Sequence, residues 1–159
     1  MDLWQRIGLS ALVTGTVASI ATTAALAGLA SAEGKSPLQP TNSTSHWLHG
    51  GAAGRVTAAD LEHTALGYAT HHASALFWAL PFEIWLAFRP PRSTPELLAD
   101  VAAMSAIAAA VDYGLAPKRL TPGWEEVLPT RSIAATYGVL ALGLAAGALL
   151  ARNFRPALR

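Results

Sequence analysis

No cysteine occurs in the 159 residues, which excludes disulfides, thiolate nucleophiles and cysteine-ligated metals while leaving the compartment open. Charge is almost as scarce. Asp, Glu, Lys and Arg make up 13% of the chain, against the roughly 25% that a small water-exposed surface normally carries. The formal net charge is only +1, so the concentrated Lys/Arg footprint of a nucleic-acid binder is missing. Also missing are an HExxH motif, the repeated ExxH set of a buried di-iron bundle, and any internal repeat.

What fills the chain instead is apolar. Hydrophobic residues reach 52% and the mean hydropathy is +0.35, so most of the surface must face something other than water. Four apolar stretches, at about 7–32, 61–88, 96–115 and 132–151, approach or exceed the roughly 20 residues that cross a hydrocarbon core of about 30 Å. The sequence therefore predicts one all-α domain, a polytopic membrane protein of four transmembrane helices with a Pro/Gly-containing outer loop. Its first partner is the lipid bilayer. The first stretch has a rival reading, because Ala30-Ser31-Ala32 before Glu33 has the form of a signal-peptidase site. An apolar region of a signal peptide is only about 7–15 residues long, so the anchored helix is preferred.

Local signals place the helix ends. Asp60 is positioned to cap the second helix with Glu62 in its first turn, and Ser93 or Thr94 to cap the third with Pro95 and Glu96 following. Pro81 predicts a kink that neighbouring helices can tolerate. Between the first two helices Pro37, Pro40 and Gly50-Gly51 read as loop, with Ser45-His46-Trp47-Leu48-His49 as a short interfacial or re-entrant turn. Asn42-Ser43-Thr44 matches a glycosylation acceptor, a weak three-residue pattern.

Four spans put both termini on one side. That side holds six basic residues, Arg6, Arg89, Arg92, Arg152, Arg155 and Arg159, and the other five, Lys35, Arg55, Lys118, Arg119 and Arg131. The difference orients both termini towards the cytoplasm of a bacterial inner membrane. Trp4 and Trp85 are expected at the inner interface, Trp47 and Trp124 at the outer one, with Trp78 deeper as packing. Gly143 and Gly147 form a small-xxx-small pair that predicts close backbone approach by the fourth helix.

Ionisable groups inside a bilayer are the clearest functional pointers, because each costs at least about 2.5–3.5 kcal/mol at the centre. The second helix carries three, His71, His72 and Glu83. At 100° per residue His72 and Glu83 lie only about 20° apart, which predicts that this pair faces the bundle interior while His71 points about 100° away. Bland roles exist for the acids: Glu83 is placed to meet Arg89, and Asp112 to meet Lys118 or Arg119. On the outer side His46, His49, His63 and Asp112 are the candidate metal set, since imidazole and carboxylate suit zinc, iron or copper. Haem is harder, because every histidine lies between His46 and His72 and a cross-bundle pair of axial ligands is difficult to build.

Ser45-His46-Trp47-Leu48-His49-Gly50 and Pro117-Lys118-Arg119-Leu120-Thr121-Pro122-Gly123, with His63-Thr64, His71-His72 and Phe82-Glu83, resemble segments of small, uncharacterised bacterial inner-membrane proteins of the YagU-like group. The resemblance implies an inner-membrane home and a link to acid response, and it assigns no catalytic residue. The leading reading is a non-enzymatic bundle acting as an accessory subunit or homo-oligomer with a membrane-protein partner. The alternatives are a proton-coupled transporter or stress-related factor built on His72, Glu83 and Asp112, and a histidine-based metal or haem redox protein with a bound metal ion as cofactor.

Overall fold

The computed structural model describes residues 1–91 and 93–154. Within them every regular element is helical. The order is α1 (Leu3–Ala32), two short helices α2 (Gln39–Ser43) and α3 (His46–His49), α4 (Leu66–Phe88), α5 (Thr94–Ala110) and α6 (Thr130–Ala151). A π-helical turn, Leu61–Ala65, leads into α4, and another, Val111–Leu115, continues α5.

Capping sets these boundaries. Asp2 and Gln5 exchange side-chain and main-chain hydrogen bonds at 2.8 and 3.0 Å, which starts α1 at Leu3 rather than near residue 7. Asp60 accepts from the His63 and Thr64 amides, as expected of a cap, and Ser93 accepts from the Glu96 amide. The α4–α5 turn then leaves Arg89 to pair with Asp100 at 3.6 Å and to lie 5.3 Å above the Trp85 ring.

Three helical segments, Leu3–Ala32, Thr94–Leu115 and Thr130–Ala151, are long and apolar enough to cross a membrane. The α4 helix is long enough at 23 residues but is not among those three, because His71, His72, Glu83 and Pro81 dilute its hydropathy.

α1 is the hub. It packs along α6 on one side and α4 on the other, while α5 leans chiefly on α6 and scarcely meets α4. The α1–α6 seam is antiparallel and very close: a Cβ added to Gly143 would lie 2.8 Å from the Ala18 Cα, and one on Gly147 would lie 2.6 Å from the Thr14 Cα. Such proximity gives extensive dispersion contacts between backbones, the kind of packing that holds apolar helices together where no hydrophobic force drives association. Gly15 brings α4 in similarly, since its Cβ would meet the Leu76 Cα at 2.9 Å.

The connecting segments 33–60 and 116–129 form a cap over one end of the bundle. Asn42 is its keystone: its amide donates to the Val56 and Ala58 carbonyls at 2.8 and 3.1 Å and accepts from Thr64 at 2.6 Å. The side chain is fully buried, so the Asn42-Ser43-Thr44 pattern is a structural motif in the folded chain. Glu33 accepts from Arg131 at 2.8 and 3.0 Å, and the Lys35 ammonium donates to the Val127 carbonyl. Both contacts stitch the end of α1 to the start of α6. Gly67 admits the cap onto α4, since any Cβ there would collide with the Thr41 carbonyl oxygen.

Candidate functional site

Beneath the cap lies a cavity of about 370 Å³, within the range that small-molecule sites occupy. Its walls come from α1 (Thr22), α4 (Thr70 to Trp78), α6 (Thr136 to Leu140) and Asp112, and its roof from Trp47 and the stretch Leu120 to Trp124.

The aromatic roof is pinned at its edges. The Trp124 indole donates to Thr44 at 3.2 Å and the Trp47 indole to Thr70 at 3.1 Å. The Trp124 ring lies 5.9 Å from that of Tyr137 and 5.7 Å from that of His71. Trp47 and Trp124, expected at the outer interface, both line this cavity. Trp47 is half-buried with its N–H on Thr70 of α4, and Trp124 is only 6% exposed with its N–H on Thr44 of the cap. Trp4 and Trp85, at the other end, do remain exposed.

On α4 the inward-facing histidine is His71, not His72. His71 is buried, with Nε2 2.8 Å from the Thr22 hydroxyl of α1. His72 is half-buried and does not line the cavity, its ring 5.9 Å from Tyr68 and its Nδ1 buried without a hydrogen-bond partner. The buried stripe runs through His71, Ala75, Ala79, Phe82, Glu83 and Leu86. Its steps of four, four, three and four from His71 to Leu86 set His71 in line with Phe82, and Glu83 lies beside Phe82 on the same broad face, so alignment with Glu83 alone does not decide which histidine turns inward. Glu83 does face inward: it is fully buried and accepts from Thr14 of α1 at 2.6 Å. Arg89 belongs instead to Asp100, because it sits past the helix end while Glu83 points into the α1 seam.

Asp112 accepts from the Tyr137 hydroxyl at 2.6 Å, and Trp78 lines the cavity with it. The expected pairing with Lys118 or Arg119 is replaced because both main-chain and side-chain groups there serve the cap: the Lys118 carbonyl faces His46 Nε2 at 3.1 Å, and Arg119 donates to the Trp47 carbonyl at 2.8 Å. Among the described residues the ion pairs are His63–Asp60, Arg89–Asp100 and Arg131–Glu33, so none of them neutralises Asp112.

The four candidate metal residues separate into three places. His49 and His63 come together with ring centroids 4.5 Å apart, His63 held by Asp60 at 2.9 Å. His46 is locked between the Ser43 and Lys118 carbonyls, and Asp112 lines the cavity. No group of three or more His, Asp or Glu side chains able to hold a metal ion occurs among the described residues.

Sequence reading missed Trp47, Trp124, Tyr137 and the threonines as cavity residues. Tryptophans inside a Gly/Pro/Thr-rich loop are the available signal, and the same pattern suits a membrane interface. No protein-family model matches the chain, and neither the curated proteins nor the solved structures compared with it give a match.

Proposed function

We propose that this chain is a four-span integral membrane protein that acts, without catalysing a reaction, by holding a small molecule under its cap. The observation that carries the reading is the cavity enclosed by α1, α4, α6 and the two connecting segments. The crossing of α4 is supported by its inward polar residues, His71 and Glu83, and its outward Phe77, Leu80, Trp85 and Phe88, the distribution expected of a span in a bundle. Both termini lie in the cytoplasm of a bacterial plasma membrane in this reading. Arg92, Arg155 and Arg159, which contribute to that orientation, fall outside the described residues.

The absence of cysteine makes the test direct. Single cysteines replacing Ala52, Pro90, Lys118 and Asn153 are labelled with an impermeant maleimide in intact cells and in inverted vesicles. Ala52→Cys and Lys118→Cys should react from one side, Pro90→Cys and Asn153→Cys from the other. Labelling of the Ala52 and Lys118 positions from opposite sides would show that α4 does not cross.

A second reading, proton-coupled transport, is favoured by one observation: Glu83 is fully buried on α4 and bonded to Thr14. Uptake by vesicles that depends on an imposed proton gradient and is lost in Glu83→Gln supports it; gradient-independent binding alone rejects it.

A further inference from the structure

The hydrogen-bonding inventory of the cavity is lopsided. The hydroxyls of Thr22, Thr44, Thr70 and Thr136 donate to carbonyls of their own helical segments, those of Ala18, Pro40, Leu66 and Ser132. The Trp47 and Trp124 indoles donate to Thr70 and Thr44, and the Tyr137 hydroxyl to Asp112. Few donors are left for an occupant, and neither Lys nor Arg lines the space. What remains is the Asp112 carboxylate, with the neutral Tyr137 donor and no cationic partner within the described residues. Around it stand the rings of Trp47, Trp78, Trp124 and Tyr137, with the Trp47 and Trp124 N–H groups tied down and the Trp124 and Tyr137 rings tilted against each other at 5.9 Å.

We infer that this cavity is a site for a small organic cation, an alkylated ammonium, held by the Asp112 carboxylate and the aromatic faces around it. The inference rests on the reading of the cavity as a binding chamber and adds the class of ligand. An anion or a sugar would need more donors than the Ser74 hydroxyl and the Trp78 indole N–H offer. A metal ion would need about four ligands, whereas the walls offer one carboxylate and the His71 ring, which Thr22 occupies. An alkylated ammonium needs no hydrogen-bond donors, supplies the missing charge, and presents apolar groups to rings whose quadrupoles attract cations. Such a group arrives either on a free metabolite or on the headgroup of a zwitterionic lipid.

The test uses the full chain in nanodiscs with Trp4→Phe and Trp85→Phe, which removes the two indoles at the far end and leaves Trp47, Trp78 and Trp124 as reporters. Tetraethylammonium and choline are titrated against 3,3-dimethylbutan-1-ol, the uncharged carbon analogue of choline, at constant ionic strength. Saturable changes with both cations, and affinity weaker by about tenfold or more for the alcohol and for Asp112→Asn, are the expected result. Asp112→Asn keeps an acceptor for Tyr137 and so preserves the fold; Asp112→Glu restores the charge and should bind more tightly than the Asn variant. Equal binding of the alcohol, or unchanged affinity in Asp112→Asn, overturns the cation site and leaves the chamber. No saturable change with any of the three probes overturns both. Discs of phosphatidylcholine compared with discs rich in phosphatidylethanolamine, both zwitterionic so that the surface charge is unchanged, separate the sources: weaker choline binding in phosphatidylcholine marks the lipid headgroup as occupant, and equal binding marks a free cation, either result supporting the site.

Discussion

The α1–α6 seam and the cap are built by opposite means. Along the seam Gly143 and Gly147 press against Ala18 and Thr14 with no room for a Cβ, so cohesion comes from many weak contacts that any added volume disrupts. In the cap, cohesion comes from a few named hydrogen bonds: Asn42 to Val56, Ala58 and Thr64, Arg119 to Trp47, and the His46 ring to the Ser43 or the Lys118 carbonyl according to its tautomer. Losing a bond there leaves a buried polar group unsatisfied, while the helices beneath keep their own contacts. The lesson is that the scaffold and the enclosure of the cavity can fail separately.

The strongest way to break that comparison is Gly147→Leu. It inserts a side chain where a Cβ alone would reach 2.6 Å from the Thr14 Cα, and overpacking of this kind costs about 3 kcal/mol or more. The thermal midpoint in detergent should fall sharply and take cap and bundle together. Asn42→Ala comes next, at about 2 kcal/mol for a buried acceptor and two donors removed from their partners. Here limited proteolysis should cut within residues 36–60 while the helical signal melts nearly as before. A fall of the whole bundle equal to that of Gly147→Leu would erase the distinction between the two regions.

The smallest effect concerns pH. The His63 amide and imidazole, then Thr64, hold the Asp60 carboxyl below its ordinary value of 3.8. Its contribution to the start of α4 is therefore complete above that value and disappears as the pH falls through the lowered one. Amide exchange at His63 and Thr64 should quicken in that acid window relative to α1, and Asp60→Asn should remove the pH dependence.

Much of this architecture can be read from the chain alone, and the limits of that reading have physical causes. Apolar runs, Asp60, Ser93 and the Gly143/Gly147 spacing mark helices, their starts and the close seam, because hydropathy, capping and steric volume are local properties. The inward turn of Glu83 is likewise visible in its periodicity. His71 is not, because alignment with Glu83 alone selects His72, whereas the face that α4 buries is broad enough to take Phe82 as well and turns His71 onto Thr22 of α1. The partners of Asp112, Trp47 and Trp124 are less visible still. Each lies far along the chain or on another helix, as Tyr137, Thr70 and Thr44 do. Apolar runs and scarce charge thus marked a helical chain with four candidate spans, of which three helices are long and apolar enough to cross a membrane. Only the tertiary structure decided which ionisable groups meet aromatic rings under a cap, because that depends on how α1, α4 and α6 cross and on a loop folding back over their ends.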